Sequence, residues 1–224
     1  LCGRGYFVQY TSDEFFRPGA IPPGMPHYRY RLMEFSPPAE QNMVYNYTGE
    51  AVRDANTSSD WFSEAGVAPA AGGGQEVPTD RGTTRPIADN IVALIIAPQL
   101  EADNPQANEQ NAYSTVFSYD SVMDTDQALN KQGNQHRLPS LVKVVLVAID
   151  ERSADRLSQM GDPATPPLGT DLNGSLGDDG AGNPGNKRDL QEVLGAVAGK
   201  LQTRNVNYRI FSSTVALRGA KVGG

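Results

Sequence analysis

The chain carries few side chains able to do chemistry, and they are poorly spaced for it. Its two histidines, His27 and His136, stand in separate loop-like contexts with no Cys or acidic residue at ligand spacing. No His-Glu-x-x-His or Cys-x-x-Cys occurs, so the common zinc-binding pairs are missing. Cys2 is the single cysteine, which rules out an internal disulfide and leaves the redox compartment unread. Asn173-Gly174-Ser175-Leu176-Gly177 approaches the nucleophile-elbow pattern. It lacks the first glycine, however, and follows no strand. Gly180-Ala181-Gly182-Asn183-Pro184-Gly185 has Gly-x-Gly-x-x-Gly spacing. A pyrophosphate cradle needs that turn between a strand and a helix, and here Pro184 interrupts it.

The acidic groups suggest two further chemistries. Asp124/Asp126 and Asp150/Glu151 are carboxylate pairs. Glycoside hydrolysis needs two such groups across a cleft, about 5–10 Å apart, and adjacency in sequence does not supply that. Asp171, Asn173, Asp178, Asp179 and Asn183 concentrate oxygen ligands of the kind calcium takes. Their spacing matches no EF-hand and lacks its bidentate Glu. The residues therefore indicate no catalytic, cofactor-binding or metal site, with Asp171, Asp178 and Asp179 as the one candidate calcium loop. Tyr10, Tyr28, Tyr30, Tyr45 and Trp61 could line a face of a secreted carbohydrate- or surface-binding module, but ordinary strand packing explains them better. The sequons at Asn46, Asn56 and Asn173 are short enough to arise by chance.

Composition narrows the class. A formal charge of -7 argues against binding a phosphate backbone, which needs a basic surface. The longest apolar run, residues 91–97, is much too short to cross a bilayer. No secretory signal is visible, and because Leu1 is no initiator the chain is expected to be a processed or truncated piece. The 224 residues suit one sizeable domain, and 23 glycines with 16 prolines predict long, turn-rich connections.

The elements that would position these groups are mostly strands. Residues 5–10 and 28–35 are aromatic-rich, and the second stretch alternates Tyr28, Tyr30 and Leu32 against Arg29, Arg31 and Met33. With the turn at 36–40 and the pattern resuming at 42–48, residues 28–48 read as a hairpin. Residues 87–97 read as a two-sided apolar strand ended by Pro98, and 113–119 as a weaker strand. Residues 141–149 are apolar on both alternating faces, which predicts a central strand covered on both sides. A short helix follows, capped by Ser153. Leu190, Val193, Leu194, Val197 and Leu201 define an amphipathic helix capped by Asp189, and a last strand spans 206–217. Excursions at about 49–85, 99–130 and 161–187 read as flexible. The expected fold is α+β: one domain over residues 1–224, an antiparallel sheet with long Gly/Pro-rich loops and one amphipathic C-terminal helix.

Three blocks together resemble a known family. They are Tyr28-Arg29-Tyr30-Arg31-Leu32-Met33-Glu34-Phe35; residues 87–96 with Tyr119-Asp120-Ser121; and residues 138–157 with 208–221. Residues 2–10 also look like the segment ahead of the first block. The set resembles the C-terminal part of the prepilin-like Verru_Chthon cassette protein C, within the type IV pilin and type II secretion minor pseudopilin class. That resemblance implies a pilin-like head whose N-terminal stalk helix lies outside this chain. It also implies a structural, non-enzymatic role on the periplasmic or extracellular face of the cell envelope. The partners it implies are other pilin-like subunits in a hetero-oligomer or filament. Membrane contact would come only through the missing helix, and no nucleic acid is implied.

Overall fold

A computed structural model describes residues 4–13, 27–39, 84–99, 113, 139–160, 165–176 and 190–217. These fall into two compact units, one comprising residues 1–92 and 151–167 and the other 93–150 and 168–224.

In the first unit β1 (Gly5–Ser12), β2 (Tyr28–Phe35) and β3 (Thr84–Asp89) form an antiparallel sheet in that order. The central strand β2 is buried on both faces from Tyr30 onward. Two of its buried side chains are charged, and each has partners that replace water. Arg31 donates from Nε to Asp89 Oδ1 at 3.0 Å and from a terminal nitrogen to the Thr11 carbonyl, while burial pushes its pKa down. Glu34 lies between Arg4 and Arg85, with salt bridges of 3.0 and 2.6 Å, and also accepts from the Tyr6 hydroxyl. Tyr6 and Arg85 stand opposite Glu34 on the two neighbouring strands, so one carboxylate stitches three strands together. Helix α1 (Glu151–Ser158) packs against β2, burying Ala154 and Leu157. It begins two residues before Ser153, which is buried within the helix and not its cap.

In the second unit β4 (Ile91–Pro98, its first two residues counted with the first unit), β5 (Leu141–Ile149) and β6 (Tyr208–Ala216) form a sheet with β5 in the middle. The Gln99 N–H donates to the Leu141 carbonyl at 2.9 Å, so the end of β4 lies beside the start of β5. β5 and β6 pair antiparallel without a register break from Leu141↔Ala216 to Ile149↔Tyr208. Helix α2 (Gly169–Leu176) packs on α3 (Leu190–Thr203), where Arg204 Nε reaches Asp171 Oδ2 at 2.8 Å. Ile95, Ala97, Val145, Leu190 and Val193 form one core, with Leu194 partly buried against it. α3 stops at a left-handed Asn205 (φ 53°), with Val206 N–H bonding to the Leu201 carbonyl and Asn205 N–H to that of Gln202. These two bonds, with buried Val206 and Leu201, form a Schellman cap.

The expected α+β, pilin-like head is not the architecture found. The described chain is dominated by two separate three-stranded, largely antiparallel sheets, and its helices are short. The single strand expected over 87–97 is where this division arises. Asn90 takes a left-handed φ of 62°, so β3 ends at Asp89, β4 starts at Ile91, and the two join different sheets. Asparagine tolerates that conformation where most residues do not. The expected C-terminal helix is present as α3, but it is not alone. Leu172, buried to 4% exposure, anchors α2 in a stretch whose Gly/Asp content reads as a loop. Residues 42–48, Asp189 and most of the expected flexible excursions lie outside the described residues.

Candidate interaction surface

Those positions that could do chemistry and lie among the described residues are tied into the fold. The Asp150 carboxylate accepts from Asn207 Nδ2 at 3.0 Å. Glu151 meets Arg29 at 2.5 Å and accepts from Asn90 Nδ2 at 2.7 Å; Arg29 first, then Asn90, holds it below the usual carboxylate range. Arg29 also reaches Asp155 at 2.9 Å and donates from Nε to His27 Nδ1 at 3.3 Å. Asp171 serves as an anchor for Arg204 within the helix pair. Asp124, Asp126, His136, Asp178, Asp179 and the Gly180–Gly185 motif lie outside the described residues. Among the described residues no three His, Cys, Asp or Glu side chains converge to hold a metal ion. No described helix is long and apolar enough to cross a membrane.

Among the described residues, Tyr10, Tyr28 and Tyr30 do not form an exposed platform. Tyr10 and Tyr30 are buried, with ring centroids 4.7 Å apart, and Tyr28 stacks on Tyr10 at 5.9 Å. The Tyr10 hydroxyl donates to the Leu157 carbonyl of α1, so the cluster belongs to the core of its unit. Tyr45 and Trp61 lie outside the described residues.

Among the described residues, one face and one edge of the second sheet stand open. On β5, Val145, Val147 and Ile149 are buried, while the alternate residues Val142, Val144, Leu146 and Ala148 are only half-buried. Directly opposite these four on β6 stand Val215, Ser213, Phe211 and Arg209. Facing residues of an antiparallel pair share a side of the sheet, so Phe211 and Val215 extend the apolar surface of Leu146 and Val142. On β4, Ile95 and Ala97 point into the core, so Leu94 and Ile96 point the other way. Phe211 is 54% exposed, Ile96 51% and Val215 44%, and every residue of β6 after Tyr208 is exposed. A shallow cavity of about 470 Å³ continues the surface at one end, where Asp150, Asn207, Arg209 and Phe211 meet.

Among the described residues no strand covers the outer edge of β6. The Asp150 N–H donates to the Asn207 carbonyl, and the Leu217 N–H to the Ser140 carbonyl. Hydrogen-bonded positions alternate along an antiparallel ladder, so the odd-numbered residues of β6 address β5. Tyr208, Ile210, Ser212, Thr214 and Ala216 therefore direct their backbone N–H and C=O groups outward. The other sheet has a protected edge: β3 carries Pro86, Arg85 and Asp89 and pairs through a register shift at Leu32/Met33. Such devices block strand addition. β6 carries one charge, Arg209, near its start, and residues 210–216 contain no charge, proline or glycine. That uncharged, strand-prone run is legible in the sequence and marks a segment disposed to pair with another strand.

No family model matches this chain, and neither a curated protein nor a solved structure does.

Proposed function

We propose that this chain is a structural, non-enzymatic protein that works by protein–protein contact within a pilus-like or pseudopilus-like assembly of the cell envelope. The observation that carries the reading is β6, a strand exposed along its length, with apolar side chains and an edge that no described strand covers. Surfaces of this kind mark contact sites on otherwise folded proteins. The envelope setting and the pilin-like partners come from the resemblance of residues 28–35, 87–96, 138–157 and 208–221. The last of these blocks includes β6. Asp150 and Glu151, being held by Asn207, Arg29 and Asn90, favour a scaffolding role over acid–base work.

The test is a photo-crosslinking amino acid at Phe211 in the organism that makes the protein, with exposed Arg152 of α1 as the control position. Covalent adducts with envelope subunits are expected at 211 and not at 152. No adduct at 211, or equal adducts at both positions, would overturn the reading.

A further inference from the structure

We infer that β6 pairs antiparallel with β6 of a second copy of this chain, across a two-fold axis at Ser212. The inference rests on the reading above that this strand is an interface, and it names the partner.

Register is the first argument. A two-fold at Ser212 sets Ile210 opposite Thr214, Tyr208 opposite Ala216, and Ser212 opposite itself. Every one of these is an outward-facing position, so each pair exchanges two backbone hydrogen bonds, about ten in all. No backbone group that already serves β5 is asked to move. Isologous contact of this kind is the commonest way identical chains associate.

Charge is the second. Arg209, the only charged residue of β6, falls opposite Val215, and the two arginines lie six residues apart, about 20 Å. The like-charge opposition that penalises many strand pairings is therefore absent. On the open face Phe211 lies opposite Ser213 and diagonal to Phe211 of the second copy, within aromatic reach. The two open apolar faces then join into one, on a six-stranded sheet.

Size sets the strength. A strand of nine residues is about 30 Å long. With side chains on both faces the pairing covers roughly 300–450 Å² per copy, against about 800 Å² for a standard stable interface. The association is accordingly weak and reversible, and tightens when copies are held close together.

Sedimentation velocity of the chain between about 10 μM and about 1 mM should show a monomer passing into a dimer. Ser212→Pro removes an N–H that takes no bond among the described residues, and should weaken the dimer at least tenfold while leaving the far-ultraviolet spectrum unchanged. Should that variant misfold, Thr214→Lys disrupts the same edge without touching the backbone. Register is read by disulfide formation in a Cys2→Ser background. Ser212→Cys should cross-link under mild oxidation, because paired Cα atoms there lie about 5.5 Å apart. Thr214→Cys should not, because its two copies lie about 14 Å apart. A monomer at all concentrations, equal cross-linking at both positions, or none at Ser212→Cys overturns the pairing. If the crosslinker at Phe211 still captures other subunits, the homotypic partner alone has failed; if it captures nothing, the assembly reading has failed too.

Discussion

Replacing Val145 and Val144 by alanine, one at a time, tests whether β5 has one covered face and one open face. The two residues are neighbours of the same type on the same strand, so losses of strand propensity largely cancel between them. Val145 has no exposed surface and belongs to the core formed with α3, while Val144 is half-buried opposite exposed Ser213. Truncating Val145 removes two buried carbons, about 1.6 kcal/mol of transfer free energy. It also leaves a cavity of roughly 40–50 Å³, about 1 kcal/mol more, for a total near 2.5 kcal/mol. Val144 forfeits about half the transfer contribution and leaves no enclosed cavity, so its loss is about 0.5–1 kcal/mol. With a urea m-value of about 1–2 kcal/mol/M, the Val145→Ala midpoint should fall roughly 1 M below that of Val144→Ala. The assay is urea unfolding of dilute protein followed by far-ultraviolet circular dichroism, so that no dimer contributes. Equal costs would mean that the Val144 face is as enclosed as the core, and the case for an interaction surface there would collapse.

Other expectations concern the charged and left-handed positions. Hydrogen bonding from Arg85 holds Glu34 below the usual carboxylate range, against the opposing effect of burial. A depressed native pKa means that Glu34 stabilises the fold above the ordinary Glu value of about 4.3, and that this contribution is lost as pH falls through the native value. Glu34→Gln should therefore flatten the acid limb of a melting-temperature-versus-pH curve, and an unchanged acid limb would refute the three-strand stitch. Asn205 holds the left-handed position of the α3 cap. Asn205→Val should lower unfolding free energy by about 1–2 kcal/mol, measured by urea titration, because a β-branched residue is strained there. Arg29→Met should make α1 exchange its amide hydrogens faster than β2, since Glu151 and Asp155 lose their shared partner.

How much of this was legible in the sequence depended on the range of the interactions involved. Residues 28–35 alternate cleanly, and β2 spans those residues; the Leu190 to Leu201 periodicity likewise gave α3. In α3 local pattern and tertiary packing agree, whereas β2 is buried on both faces despite its alternation. The break at Asn90 was not legible. A single left-handed residue leaves an apolar run looking continuous, yet it sends the chain from one sheet to another. α2 was hidden for the opposite reason, its helix depending on burial of Leu172 and on the Asp171–Arg204 pair, partners far apart in sequence. Asp150, Glu151 and Asp171 take their partners from distant parts of the chain, and nothing near Glu151 in sequence announces Arg29 or Asn90.

The open face exposes a deeper limit of sequence patterns. β5 is apolar on both sides, and that pattern predicts a strand covered on both sides. It says nothing of whose atoms provide the cover. α3 supplies one side through Leu190 and Val193, whereas Val142, Val144 and Leu146 remain half-exposed beside Phe211 and Val215. Burial in a core and burial in an interface select the same residue types, because the same water is being displaced. The edges separate the two cases. β3 carries a proline, an arginine and an aspartate that discourage a fourth strand, while β6 offers a charge-free run from Ile210 to Ala216. Among the described residues no strand covers that run, and an added strand would pair there.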